Sequence, residues 1–155
     1  MRYSKLALFM VSWMVLACGP AETETIPTEA PTETSQAEDG LANTEWTLTS
    51  FGTAGEEPSL VEGTTITLIF ESETRAGGFG GCNSYGGDYQ AQDGKISFSD
   101  IVSTLKACLD ENATQQEQRY FSALQSAGTF ELADDQLTIF YDDGQSLVFE
   151  RSESF

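Results

Sequence analysis

Between Leu41 and Phe155, apolar side chains return at every second position, the spacing that turns one face of a strand toward a core. Trp46 and Leu48 alternate with threonines, and Ile66, Leu68 and Phe70 repeat the pattern. Ile96 and Phe98 follow the turn Gln92-Asp93-Gly94. Phe130 with Leu132, Leu137 with Ile139 and Tyr141, and Leu147 with Phe149 predict three further strands. Asp134-Asp135 and Asp142-Asp143-Gly144 separate these last three, and short polar turns of that kind close hairpins.

One segment changes period. Tyr120, Phe121 and Leu124 share a helical face, Asn112 and Thr114 each begin a plausible capping box, and Gly128 is the expected stop. Hairpins, one amphipathic helix and a C-terminal meander together predict an α+β domain. Its sheet is expected to be antiparallel, strongly curved and partly closed, barrel-like, with the helix packed on one face or open end. Residues 41–155 are enough for one domain with its own core.

The residues before this domain read differently. Arg2 and Lys5 precede a run of 12 residues, Leu6 to Ala17, interrupted only by Ser12. A bilayer core needs about 20 apolar residues, so residues 1–17 fit a cleaved export signal. Val15-Leu16-Ala17-Cys18 is similar to the bacterial lipobox, in which a small residue precedes the cysteine that takes the lipid. Cys18 is therefore the expected lipid attachment point. Residues 18–40 then form a linker whose Gly19–Gly40 stretch holds five glutamates, one aspartate and three prolines with Ile26 as its one large aliphatic. Too little apolar surface is present to offset ordering entropy, which predicts disorder. Residue 19 is glycine, not the aspartate that retains lipoproteins at an inner membrane. The expected address is thus the bacterial envelope, lipid-anchored at the outer membrane and facing the periplasm.

Charge narrows the partners. The chain carries 7 basic and 25 acidic residues and no histidine. Loss of residues 1–17 leaves five basic residues and a formal charge of −20. Nucleic acids and anionic lipid surfaces both require Lys and Arg to neutralise phosphate, so neither is expected to meet the protein face.

The stretch Phe79–Gly87, FGGCNSYGG, holds four glycines, a thiol, an amide and a phenol. As a phosphate loop it fails, because Gly87 stands where the lysine belongs and Asp88 where Ser or Thr would hold magnesium. A cysteine nucleophile needs a base, most often histidine, and there is none. Two cysteines without histidine are a poor zinc set, and Asp142-Asp143-Gly144 lacks the alternating oxygen ligands of a calcium loop. No catalytic residue, metal or cofactor is expected. With Cys18 lipidated, Cys82 and Cys108 remain, and an oxidising compartment lets a disulfide persist. Such a bridge would stabilise the fold by about 3.5 kcal/mol on the chain-entropy estimate. Two buried, unpaired thiols are the alternative. The glycines would serve a bend where the backbone approaches closely or takes positive φ.

These residues resemble the META domain family of HslJ-type heat-shock lipoproteins. The likeness opens with Trp46-Thr47-Leu48 and continues through Gly78, Gly81, Cys82, Asn83, Tyr85, Gly87 and Tyr89. Thr104-Leu105-Lys106-Ala107-Cys108 follows, with Lys106 where the family often has methionine, then a helix with Glu117, Phe121 and Leu124. The resemblance implies a small barrel-like sheet with a packed helix, a role in envelope integrity or in heat or antibiotic stress, and no enzymatic activity. It also implies a shape similar to pilotin lipoproteins, which hold acyl chains or partner peptides. Partners expected on this basis are the membrane, through the lipid, and an envelope protein or an acyl-chain or peptide ligand. Tyr85, Tyr89 and Tyr141 are candidates to line a groove, against the plainer reading that they are core or sheet-surface aromatics.

Overall fold

The computed structural model describes residues 40–53, 60–142 and 144–152. The export signal, Cys18 and the acidic linker through residue 39 lie outside the described residues. Eight strands and one helix follow in order: β1 Thr44–Thr53, β2 Thr67–Phe70, β3 Arg75–Phe79, β4 Ser84–Gln92, β5 Lys95–Ser103, α1 Glu111–Gln125, β6 Ala127–Ala133, β7 Gln136–Tyr141 and β8 Gln145–Arg151. Each strand pairs antiparallel with its sequence neighbour, and β1 pairs with β8, so the sheet closes into a barrel. Closure removes sheet edges, which would otherwise be open templates for pairing.

The alternating positions supply the interior. Trp46, Phe70, Tyr120 and Phe149 are its largest fully buried side chains, packed with Ile66, Leu68, Leu137, Ile139 and Leu147. At the closing seam, the guanidinium of Arg151 lies 4.3 Å from the Trp46 ring centroid. That contact covers an indole at a strand pair, Trp46↔Arg151, where a cation gains from the ring's electron-rich face.

Two strands, β3 and β4, are not among those the alternation predicted. Their interior positions include Gly77, Gly78, Gly86 and Gly87, which contribute no side chain to a period. The reason is close backbone approach. A Cβ on Gly78 would sit 2.2 Å from the Thr67 carbonyl oxygen, and one on Gly87 2.7 Å from that of Ser99.

The helix begins and ends elsewhere than its capping patterns suggest. Asp110, not Asn112 or Thr114, is the N-cap, and its carboxylate accepts the Asn112 N–H at 2.8 Å. Ser126 closes the helix, its N–H donating to the carbonyls of Ser122 and Ala123. Gly128 therefore lies inside β6 and stops nothing. An aspartate just before the first turn satisfies the same orphan N–H groups as a capping box would, and the strand starts one residue past the cap. Ala113, Gln116, Glu117, Tyr120, Ala123 and Leu124 form the buried face; Phe121 is half-buried beside it.

The barrel has one thin seam. β5 and β6 share a single register pair, Lys95↔Thr129, reinforced by the Phe130 N–H donating to the Gly94 carbonyl. Beyond it the two strands part, and the chain between them is occupied by α1.

Candidate functional site

The glycine stretch links the end of β3 to β4, and Gly80 N–H donates to the Asn83 carbonyl at 2.8 Å across the turn. This turn lies against the first half of α1. The Glu117 carboxylate, 6 % exposed, accepts three N–H donors. Its Oε1 takes the backbone N–H groups of Cys82 at 3.2 Å and Asn83 at 2.6 Å, and its Oε2 takes the Asn83 side-chain amide at 2.7 Å. Gly80 makes this fit possible, since a Cβ there would stand 2.7 Å from Glu117 Oε1 and 2.9 Å from Phe121.

Asn83 faces both ways. Its Oδ1 accepts the Thr104 hydroxyl and the Lys106 N–H, each at 2.8 Å. The residue after β5 is thereby pinned to the turn before β4. A disulfide between Cys82 and Cys108, with Cα atoms 5.9 Å apart, fastens the same two segments covalently. The alternative of two unpaired thiols is set aside.

Below the turn, Tyr85 and Tyr120 meet inside the barrel with hydroxyl oxygens 2.7 Å apart. Tyr85 donates to the Thr67 carbonyl at 3.0 Å, so Tyr120 is the donor between the two phenols. Burial holds both phenols well above their ordinary range; the bond from Tyr120 moderates the rise at Tyr85. Next to Glu117, Gln116 carries the helix to the chain entering β2, accepting the Val61 N–H at 2.7 Å and donating to the Thr64 hydroxyl at 2.8 Å.

Glycine, cysteine, asparagine, tyrosine and threonine positions singled out in the sequence thus converge. Gly81 takes φ +106° in the turn, and Cys82, Asn83, Thr104 and Cys108 are joined by the contacts above. Gly87 lies outside that cluster, against β5. Tyr89 and Tyr141 lie apart from it too. Tyr89 packs edge-on to Phe70 at 4.7 Å and donates to the Ser72 carbonyl at 2.8 Å. Tyr85, Tyr89 and Tyr141 are 8 %, 3 % and 5 % exposed, so they belong to the core. Of these, Tyr89 also borders a shallow depression of about 820 Å³ beside Gln92, Lys95 and Gly128.

Glu117 is the member whose role the sequence did not announce. The available signal was an acid at a core position of the helix, flanked at helical spacing by Ala113, Tyr120 and Leu124.

The matching sequence family is META, a META domain, over residues 39–154. The chain belongs to the META domain family. A solved structure of a protein from Burkholderia xenovorans is 30 % identical, covers 88 % of this chain and 100 % of its own, and superposes with a TM-score of 0.62. Another solved protein, 18 % identical over 72 % of this chain and 91 % of its own, shares the fold at a TM-score of 0.56. So does a DUF4847 family protein from Bacteroides vulgatus, 13 % identical over 76 % of this chain and 99 % of its own, at 0.56. No curated protein matches.

Chemically, the cluster in this META domain is a fastening. Cys82, Cys108 and Glu117 offer ligand atoms within 4.8 Å of one another, but a metal-binding sulfur must be a thiolate, and these two are bonded to each other. The carboxylate is already engaged by three donors. Among the described residues, every buried side-chain nitrogen and oxygen has a hydrogen-bond partner.

Proposed function

We propose that this protein is a non-enzymatic lipoprotein of the bacterial envelope. Cys18 carries the lipid, residues 18–40 form an acidic tether, and the META domain binds a partner or stabilises the envelope at the outer membrane under stress. The Cys82–Cys108 bridge is the observation that carries the reading, because such bonds persist in exported proteins and are rare where thiols are kept reduced. The lipobox-like Val15-Leu16-Ala17-Cys18 supports the anchor. A tether of 22 residues, Gly19–Gly40, reaches about 26 Å as a coil and up to about 68 Å if extended.

Mass spectrometry of the mature protein tests the anchor. An acyl adduct on an N-terminal Cys18 is the expected result, and an unmodified N-terminus at any other residue rejects it. The pilotin-like alternative, a chaperone for an acyl chain or a peptide, draws no support from Tyr85, Tyr89 and Tyr141, which are core residues.

A further inference from the structure

Two fastenings run side by side between the turn before β4 and the loop after β5. One is the bond between Cys82 and Cys108. The other passes through no sulfur. Asn83 Oδ1 accepts from Thr104 and Lys106 at 2.8 Å each, and Glu117 Oε1 accepts the Cys82 and Asn83 N–H groups. The Thr104 N–H also donates to the Ser84 carbonyl at 3.0 Å. Opening the S–S bond leaves all of these contacts in place, so the two thiols would stay neighbours. Both cysteines are half-buried beside a loop that is exposed from Thr104 to Ala107, where a small reductant reaches them.

The reduced pair would have company. One ligand atom from each of Cys82, Cys108 and Glu117 lies within 4.8 Å of the other two. The Lys106 carbonyl oxygen is 4.0 Å from Cys82 Sγ and 3.9 Å from Cys108 Sγ. Two sulfurs and two oxygens make up the four ligands of a tetrahedral ion; around zinc, with a metal–sulfur distance of about 2.3 Å, the sulfurs stand about 3.8 Å apart. Rotation about each cysteine's Cα–Cβ bond supplies that separation once the sulfurs are unbonded. A carboxylate offers about four lone-pair sites. Glu117 has given three to N–H donors, which leaves one for a cation.

We propose that the Cys82–Cys108 bridge gates a metal site: once a dithiol reduces it, both cysteines and Glu117 bind one divalent cation of the zinc class, with the Lys106 carbonyl at the fourth position. The dithiol gives two electrons and two protons. Its sulfurs join as a disulfide while the Cys82–Cys108 bond breaks into two thiols. The cation then displaces those two protons to solvent as the sulfurs coordinate as thiolates. Thiolates select such ions over magnesium and calcium, which take oxygen ligands. The formal charge of −18 on the chain favours the approach of any cation. In the oxidised protein the site is shut, because neither sulfur has a charge to offer. This inference goes beyond the proposed envelope role and does not depend on acylation.

The test uses residues 18–155 with Cys18→Ser, so that no third thiol is present. The chain is reduced with a dithiol, freed of it without air, and titrated with zinc against a chromophoric chelator. One zinc per reduced chain is expected, with a raised thermal midpoint, and at least a hundredfold weaker binding by the oxidised chain. Cobalt(II) in place of zinc should give thiolate-to-metal absorption and the visible bands of a tetrahedral ion. Cys82→Ser and Cys108→Ser should each abolish that absorption, and Glu117→Gln should weaken zinc at least tenfold. No zinc on the reduced chain overturns the proposal. Equal binding by the oxidised chain would assign the ion to surface carboxylates, and unchanged binding in either serine variant or in Glu117→Gln would remove the ligand set; each overturns it too. Octahedral cobalt bands without thiolate absorption do the same, and that readout needs no variant to fold. The acyl adduct on Cys18 is measured on the native protein, so failure of the anchor and failure of this site are read separately.

Discussion

The Asn83 side-chain amide donates to the Glu117 carboxylate at 2.7 Å, and the same asparagine's oxygen accepts from Thr104 and Lys106. One residue therefore reads the helix on one side and the post-β5 loop on the other. Glu117→Ala would strand two backbone N–H groups and an amide in a buried place, each unmet group costing about 1–3 kcal/mol. We expect a loss of about 3–5 kcal/mol, with a smaller loss for Glu117→Gln, which keeps one acceptor. Urea denaturation of the two variants checks the order.

Asn83→Ala removes both faces of the contact and should lower stability by roughly 2–4 kcal/mol. It should also free the loop that Asn83 pins. Faster amide exchange at Lys106 than in the parent is the measurement, and unchanged exchange there would show that the bridge alone holds the segment.

Reduction of Cys82–Cys108, or the paired change of both cysteines to alanine, should cost about 3.5 kcal/mol by the loop-entropy estimate. The barrel should still form, because the strand ladders do not pass through the bridge. Denaturation with and without reductant gives the value, and circular dichroism checks the sheet.

High pH should unfold the domain through its buried phenols. Burial raises Tyr85 and Tyr120 above the ordinary tyrosine value of 10.0, and Tyr141 shifts the same way. Below pH about 10 both folded and unfolded chains keep these protons, and stability does not change on their account. Above it the unfolded chain releases protons that the fold retains. Stability then falls by about 1.4 kcal/mol per pH unit for each of the two deeply buried phenols, Tyr85 and Tyr120. Tyr120→Phe should make that fall shallower by about one tyrosine's share, read from urea midpoints across the alkaline range.

Two glycines should respond oppositely to alanine. Gly78 has φ +149° and a Cβ there would meet the Thr67 carbonyl carbon at 2.9 Å and its oxygen closer still, so β2 and β3 would have to separate. Gly128 has nothing within 4 Å of an added Cβ, and its replacement should be neutral or stabilise by up to about 1 kcal/mol. Thermal midpoints of the two variants test the contrast.

Most strands were legible because a half-buried strand writes its face into every second residue. Trp46 with Leu48 and Leu137 with Ile139 and Tyr141 are cases where alternation and burial agree. β3 was hidden because its close packing requires glycine, which leaves no apolar mark, and in β4 the alternation of Tyr85 and Tyr89 is interrupted by Gly87 at the buried position between them. Helix ends were displaced by a residue or more because Asp110, Asn112 and Thr114 all offer capping oxygens, and only the folded backbone selects among them.

Local order was thus largely settled by the amino-acid order itself: alternation dictates most strands, 3.6-residue spacing dictates the helix, and Cys82 and Cys108 are the two cysteines within residues 41–155. Tertiary structure alone decided that the sheet closes through β1 and β8, that Glu117 turns inward to serve Cys82 and Asn83, and that a bulge at Asp100 turns Val102 outward. Those outcomes depend on partners dozens of residues away, and no periodicity along the chain encodes which distant backbone a side chain will meet.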